Sequence, residues 1–380
     1  MARDGWQLGL VEPLLVPASR ATLSGQRLPL GGCMSARIIS ADSHVAMDHA
    51  RVREHLSAKY HEAFNAAAAE HEARLAAGKA ASNLGEHWFR PGHFEGPAHL
   101  DDMDLDGLDV EVVYCEVSGF RFLYRMSSGA IEATRAFNDA LHDYASADPS
   151  RLVVSYQIPI HDIDAAVAEV QRVAAAGGRS LQLPVFPTEL GFPDYHDERY
   201  DPLWAAVQEA DLAVCCHIGQ NALLDDLGRR DPTPGRAIVV PMLALTSAEA
   251  LGMWILGGVF EKFPRLKLVM VEPGIGWVAW WIDMVDAMTL RDGYQYPALT
   301  ALPSEYFRRN VFLTFMDEAN GVRIAKDRDL LDNLLWASDY PHPPTTWPNS
   351  QARLDRQLAG LTAAERAKVV GANAARVWGL

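Results

Sequence analysis

The sequence lacks the features that mark membrane and secreted proteins. None of its apolar runs approaches 18 consecutive residues, the length that a membrane-spanning helix needs. Near the N-terminus, Glu12 and Pro13 interrupt the apolar run at 8–11, which makes that run a poor core for a signal peptide. Long basic clusters are also missing and the net charge is −15, which argues against nucleic acid or an anionic membrane as a partner.

Cysteine is scarce, and its spacing does not indicate a metal site. The four cysteines are Cys33, Cys115, Cys215 and Cys216. They contain no CxxC pair, and the two adjacent ones lie inside an apolar run. Buried free thiols are therefore expected, which fits the reducing cytoplasm. A GxGxxG motif is missing after the first apolar run, which disfavours a dinucleotide-binding sheet.

The composition is otherwise that of a globular protein, 49% hydrophobic and 22% charged. Near-continuous apolar runs are typical of strands that are buried on both faces of a parallel sheet. Eight such runs are predicted as strands: 36–45, 110–117, 151–160, 179–185, 212–219, 265–272, 310–316 and 333–340.

Helical patterns separate most of these runs. They cover 129–147, 162–176, 201–210, 246–262, 275–290, 349–359 and 363–378. Strand–helix alternation repeated about eight times predicts a (β/α)₈ TIM barrel rather than a large doubly wound sheet. We expect one barrel domain over 36–380, preceded by a poorly ordered extension over 1–35. A helical and loop insertion over 46–100 follows the first strand and is expected to cover the barrel mouth.

Asp and His residues lie at the ends of three of the predicted strands. Asp42 and His44 are two positions apart on the first strand and therefore share a face. His217 ends the fifth strand and Asp339 ends the eighth. Because the carboxyl ends of barrel strands meet at one mouth, we predict that these four side chains bind a divalent metal ion. Their mixed nitrogen and oxygen donors suit Zn²⁺, Mn²⁺ or Fe²⁺. The alternative is a hydrogen-bonded core histidine and an aspartate in a turn.

Two further side chains are expected at the same mouth. Glu272 ends the sixth strand, where it is a candidate base, acid or orienting group, or alternatively a carboxylate at a helix N-terminus. His342 follows Asp339 by three residues and is a candidate proton carrier or a partner of that carboxylate. In the insertion, His87, His93 and His99 are candidates to reach a substrate.

Aromatic residues near the strand ends and insertions predict an aromatic or planar apolar substrate. They are Trp88, Phe89, Phe120, Phe186, Tyr195, Trp277, Phe315 and Trp347. Packing in the core or on the surface is the alternative for several of them. Arg90 or Arg121 is a candidate partner for a substrate carboxylate.

Together these motifs make the chain recognisable. It resembles the amidohydrolase-2 branch of the amidohydrolase superfamily, the metal-dependent TIM-barrel proteins related to aminocarboxymuconate semialdehyde decarboxylase. The motifs that carry the resemblance are 39–44 (ISADSH), 103–109 (MDLDGLD), 137–139 (FND), 148–152 (DPSRL), 272–277 (EPGIGW) and 337–342 (ASDYPH).

The resemblance implies a metal held by Asp42, His44, His217 and Asp339. This chain departs from the better-known members in two places. They carry His-x-His or Glu-x-His on the first strand, where this chain has Asp42-Ser43-His44, and a proton-handling His on the sixth strand, where it has Glu272. The two-metal members carry a Lys on strand four; 179–185 contains none, so one ion is expected, with Zn²⁺ first and Mn²⁺ or Fe²⁺ as alternatives.

Two reactions are compatible with such a site, and the family contains both. In the first, Asp339 binds the ion and accepts a proton from the attacking water, giving a hydrolase for a small aromatic or cyclic molecule. In the second, the enzyme is a non-oxidative decarboxylase of an aromatic or unsaturated carboxylic acid. Replacement of the sixth-strand His by Glu272 favours hydrolysis. A non-catalytic binding protein is a third interpretation. We expect a small-molecule substrate, a cytoplasmic location and a homodimer.

Overall fold

The protein is described by a computed structural model that covers residues 37–77, 86–116, 121–219, 222–233 and 238–380. The predicted extension over 1–35 and the pocket candidate Phe120 lie outside these described residues.

Eight parallel strands form the core of the fold. They are β1 (Ile39–Val45), β2 (Val110–Cys115), β3 (Leu152–Gln157), β4 (Ser180–Leu183), β5 (Ala213–His217), β6 (Lys267–Val271), β7 (Val311–Phe315) and β8 (Leu334–Trp336). The strands pair in sequence order from β1 to β8. Beyond β8 the chain returns to β1, where the His44 N–H donates to the Tyr340 carbonyl at 2.7 Å and the Asp339 N–H donates to the Asp42 carbonyl at 3.0 Å. The predicted (β/α)₈ barrel is confirmed.

The strand sequences explain the burial of both sheet faces. In β2, Val110, Val112 and Tyr114 belong to the cluster inside the barrel, whereas Val113 and Cys115 pack in the outer layer with the helices. This alternation follows from the two-residue period of a strand. Trp378 joins the inner cluster from the last helix.

Helices surround the barrel. They are α1 (His49–His55), α2 (His61–Ala77), α3 (Gly96–Asp106), α4 (Ala130–Ala145), α5 (Ile163–Ala175), α6 (Asp201–Glu209), α7 (Ala222–Arg229), α8 (Val239–Leu256), α9 (Val259–Lys262), α10 (Val278–Asp292), α11 (Pro303–Asn310), α12 (Ala319–Asp327), α13 (Ser350–Gln357), α14 (Ala363–Ala367) and α15 (Asn373–Trp378). No helix within the described ranges is long and apolar enough to cross a membrane.

Two predicted boundaries are corrected by the structure. The helix predicted over 246–262 is two helices, because Gly258 adopts φ 78° between α8 and α9 and ends the first helix. The eighth strand ends at Trp336, so that Asp339 lies in the loop after the strand rather than within it. Asp339 itself has φ 53°, a left-handed conformation that no strand residue adopts.

The insertion after β1 contains α1, α2 and α3, and one of its loops reaches the mouth. The Ala46 N–H donates to the His93 carbonyl at 2.8 Å, which fixes the loop over 86–93 beside the end of β1. The Arg90 guanidinium donates to the Asp102 carboxylate and lies over the Trp347 ring, 4.3 Å from its centroid. These contacts join the insertion to the loop that follows β8.

Candidate metal centre

The four predicted metal ligands lie together at the carboxyl end of the barrel. The Nε2 atom of His44 is 3.4 Å from Asp42 Oδ1 and 3.2 Å from Asp339 Oδ1. The Nε2 atom of His217 is 3.5 Å from the same Asp42 oxygen. Donor atoms of Asp42, His44 and His217 lie within 4.8 Å of one another, and Asp339 adjoins them through its contact with His44.

These side chains are buried and lack hydrogen-bond partners. The exposed fraction of each is 5% or less. Both oxygens of Asp42 and Asp339 and both ring nitrogens of His44 and His217 make no hydrogen bond within the described structure. The short contacts between these side chains lack hydrogen-bond geometry. This indicates that their oxygen and nitrogen atoms point toward a common position for a metal ion. Burying carboxylates without hydrogen bonds is costly, and a divalent cation would reduce that cost.

Glu272 faces the same point from β6. Its backbone has φ 61° and its N–H donates to Thr314 Oγ1 at 2.6 Å. One carboxylate oxygen lies 3.9 Å from His217 Nε2. Burial, together with the neighbouring Asp339 charge, raises the pKa of Glu272 above its ordinary value.

His342 contacts Asp339 directly, with Nδ1 2.8 Å from Oδ1. Burial would lower the pKa of His342, but the Asp339 and Glu116 carboxylates raise it well above the ordinary value. Burial would likewise raise the pKa of Asp339, but His342 and His44 together outweigh burial and lower it. The pair therefore favours an imidazolium beside a carboxylate.

Glu116 is a site residue that the sequence reasoning missed. It directly follows β2, and its Oε1 lies 2.9 Å from His93 Nε2, 3.2 Å from His342 Nε2 and 3.7 Å from His44 Nδ1. The signal was present in the sequence, because Glu116 ends a predicted strand as Asp42 and Glu272 do. His93, a candidate from the insertion, meets Glu116 rather than the four metal-binding candidates.

A cavity of about 200 Å³ reaches the metal-binding candidates at Asp42 and also includes Glu272. It is lined by Asp42, Glu272, Gly274, Thr314, Phe315, Met316, Asp317, Glu318 and Pro344. Of the predicted pocket aromatics that the structure describes, Phe315 alone lines it. Trp88 lies beside His342, with the two rings nearly parallel and their centroids 5.8 Å apart.

Several predicted pocket residues lie elsewhere. Tyr195 packs against Trp204 and Trp254 in the outer core, and Phe89 is 74% exposed. The remaining aromatics, Phe186, Trp277 and Trp347, are not among the cavity-lining side chains. Arg90, one of the two candidates to pair a substrate carboxylate, donates to Asp102.

A closed barrel with buried His and Asp side chains at the ends of β1 and β5 and in the loop after β8 defines a class, the metal-dependent TIM-barrel enzymes. A family model described as amidohydrolase matches residues 55–380, and the chain belongs to this amidohydrolase family. The resemblance seen in the motifs is thereby confirmed.

Curated relatives share part of the sequence. The chain is 29% identical over 257 residues to gamma-resorcylate decarboxylase of Rhizobium sp. (strain MTP-10005), which covers 62% of this chain and 76% of that protein. It is 27% identical over 287 residues to gamma-resorcylate decarboxylase of Rhodococcus jostii (strain RHA1), covering 66% and 78%.

Solved structures share the fold. The 5-carboxyvanillate decarboxylase of Sphingomonas paucimobilis matches with a TM-score of 0.67 at 22% identity, covering 91% of this chain and all of that one. An amidohydrolase of Mycobacterium avium subsp. paratuberculosis matches with a TM-score of 0.73 at 18% identity, covering 92% and 99%. The 5-carboxyvanillate decarboxylase of Novosphingobium aromaticivorans, solved with bound manganese, matches with a TM-score of 0.71 at 17% identity, covering 90% and 97%.

Proposed function

We propose that the protein is a metal-dependent non-oxidative decarboxylase of a hydroxylated aromatic carboxylic acid. The proposal depends on two observations taken together. Buried Asp and His side chains without hydrogen-bond partners lie at the barrel mouth, and the matched curated relatives are gamma-resorcylate decarboxylases. The sequence alone favours hydrolysis and keeps decarboxylation as the alternative. The relatives support that alternative better than hydrolysis, which has support only from the family as a whole.

The donors fit one divalent cation. Imidazole nitrogens from His44 and His217 and carboxylate oxygens from Asp42 and Asp339 form a set that Mn²⁺, Zn²⁺ or Fe²⁺ accepts. The β4 segment 179–185 offers no Lys for a second ion. When bound, such an ion would supply charge that grips a substrate carboxylate and an adjacent oxygen.

Decarboxylation moves the electron pair of the broken C–C bond onto the ring carbon, releases CO₂ and needs a proton at that carbon. Ionisable atoms of Glu272, Asp339 and His342 lie within 4.8 Å of one another. We assign proton supply to the Asp339–His342 pair because the two groups are in direct contact. Glu272 lines the cavity, and we assign it to orienting a substrate hydroxyl.

The cavity suits a single-ring substrate. At about 200 Å³ it is smaller than the roughly 300 Å³ at which pockets for drug-sized ligands begin. Phe315, Met316 and Pro344 supply apolar lining, whereas Thr314 and the carboxylates of Asp42, Glu272, Asp317 and Glu318 supply polar groups. A benzoate with one or two hydroxyl groups matches both the size and this mixed lining.

The test uses protein purified without added metal and then loaded separately with Mn²⁺, Zn²⁺ or Fe²⁺. Each form is incubated with hydroxybenzoates, 2,6-dihydroxybenzoate among them, and in parallel with lactones and amides. CO₂ release and the ultraviolet spectrum of the substrate are followed. We expect metal-dependent CO₂ release from at least one hydroxybenzoate, abolished in the Asp339→Asn variant. Hydrolysis of a lactone or amide without CO₂ release from any acid would reject the proposal.

A further inference from the structure

The His342 ring is held at both of its nitrogens. Nδ1 lies 2.8 Å from Asp339 Oδ1. On the opposite side, Nε2 lies 3.2 Å and 3.4 Å from the two oxygens of Glu116. An imidazole between two carboxylates can contact both of them in only one ring orientation. Each carboxylate therefore restricts the rotation of the ring and keeps it in place for the other.

Glu116 is in turn held by the insertion. The buried His93 places Nε2 2.9 Å from Glu116 Oε1 and Nδ1 2.9 Å from the Trp88 carbonyl. The exposed fraction of His93 is 0%. Hydrogen bonds at both ring nitrogens fix His93, and this in turn fixes the carboxylate that His342 meets.

The faces of the His342 ring are also covered. The Trp88 ring is parallel to it within 9° at a centroid distance of 5.8 Å. The His44 ring lies 3.9 Å away at an angle of 32°. Trp88 and His93 both come from the loop over 86–93, so this segment contacts the ring directly through Trp88 and indirectly through His93 and Glu116.

We propose that Glu116 is a positioning residue that, supported by His93, fixes the His342 ring against Asp339. The catalytic part of this inference rests on the proposed function. Glu116 does not line the cavity; it acts through His342. His342 lies in a loop, where no sheet hydrogen bonds fix the backbone as they would on a strand. Glu116 therefore supplies the fixed orientation of its ring.

The main test is Glu116→Gln, which keeps the size of the side chain and removes its charge. Its matched control is Glu95→Gln, the same change at an exposed glutamate of the insertion whose contact is the surface Arg51. Four quantities are measured: metal content per chain, the thermal midpoint, kcat and KM on the best hydroxybenzoate, and the ¹⁵N signals of the His342 ring. The last are assigned by their loss in His342→Gln.

We expect Glu116→Gln to keep its metal and its KM within about threefold, and to lose about 10- to 100-fold in kcat, the range found when a supporting hydrogen bond is removed. The His342 nitrogen signals should shift, whereas Glu95→Gln should match the wild type throughout. Glu116→Asp keeps the charge but has a shorter side chain, so its kcat should lie between those of the wild type and Glu116→Gln. This variant also provides the test if Glu116→Gln fails to fold.

Unchanged kcat and unchanged His342 signals in Glu116→Gln would overturn the inference. Loss of metal with unshifted His342 signals would overturn it too, since Glu116 would then act through His44, 3.7 Å away. The nitrogen signals do not depend on turnover. A wild-type protein that decarboxylates nothing therefore refutes the proposed function while the positioning of His342 is still tested.

Discussion

Asp339→Asn is the substitution that tests the metal centre most directly. Asp339 lies 3.2 Å from His44 and is fully buried, with both oxygens free of hydrogen bonds. The amide has the same shape but is neutral and offers one oxygen donor. We expect the folded variant to bind a divalent ion much more weakly than the wild type, with little change in the surrounding structure.

The size of the effect follows from linkage. A ligand present at about 100 times its Kd stabilises the folded state by about 2.7 kcal/mol. About 345 residues form the barrel unit, and at roughly 2.1 cal/mol/K per residue their unfolding entropy is about 0.7 kcal/mol/K. The wild-type Tm should therefore rise by about 4 °C. With about 100-fold weaker binding, the same ion concentration stabilises Asp339→Asn by about 0.4 kcal/mol, which is less than 1 °C.

The assay is thermal unfolding of metal-free protein during titration with Mn²⁺ and, separately, Zn²⁺. Asp317→Asn is the matched control, because it removes the same charge from an exposed carboxylate at the cavity rim that bonds to Arg353. The control should retain the full shift of about 4 °C. Equal shifts in Asp339→Asn and the wild type would refute ligation by Asp339, and no shift in the wild type would refute the metal centre itself.

Three further outcomes are expected. Glu272→Gln should lower kcat on a hydroxybenzoate by about 100-fold through poorer orientation of the substrate, while the metal content measured by atomic absorption stays at the wild-type value. Gly92→Ala should lower the free energy of unfolding, measured in urea, by about 1–3 kcal/mol. The added Cβ would lie 2.6 Å from the Tyr340 hydroxyl and 2.7 Å from Asp102 Oδ2. Gly360→Ala is the control, because its added Cβ would have no neighbour within 4 Å. Burial raises the pKa of the Cys115, Cys215 and Cys216 thiols, so a thiolate-specific reagent at pH 8 should leave these three unlabelled until the protein is unfolded; labelling of the native protein at any of them would contradict their burial.

The barrel and the four metal-binding candidates could be predicted because both follow from local sequence. A strand that is buried on both faces must be apolar along its length, and a polar residue that ends such a strand must face the mouth. Asp42, His44 and His217 lie where this rule puts them. Applied to every strand, the same rule would also have selected Glu116.

The contacts of the insertion could not be predicted in the same way. The loop over 86–93 has no period, and its partners are distant in sequence: Trp88 meets His342, and Arg90 meets Asp102 and Trp347. A sequence pattern shows that Arg90 is cationic but not which anion neutralises it. The sequence therefore offered Arg90 or Arg121 for a substrate carboxylate without showing that Asp102 is the partner of Arg90.

Backbone conformation at the mouth supplies an argument for function that the sequence does not contain. Glu272 and Asp339 both adopt positive φ, at 61° and 53°, where a residue with a Cβ pays about 1–2 kcal/mol. Asp339 is kept there by its own N–H, which donates to the Asp42 carbonyl, and by the preceding Ser338, whose N–H donates to Ser40 Oγ at 2.9 Å. Strain of this kind persists only where surrounding contacts enforce it; Asp211 and Asp329 share it in exposed turns, whereas Glu272 and Asp339 have it at the barrel mouth. Both carboxylates, which follow β6 and β8, are held in this conformation, as expected of a site that aims two acids at one point.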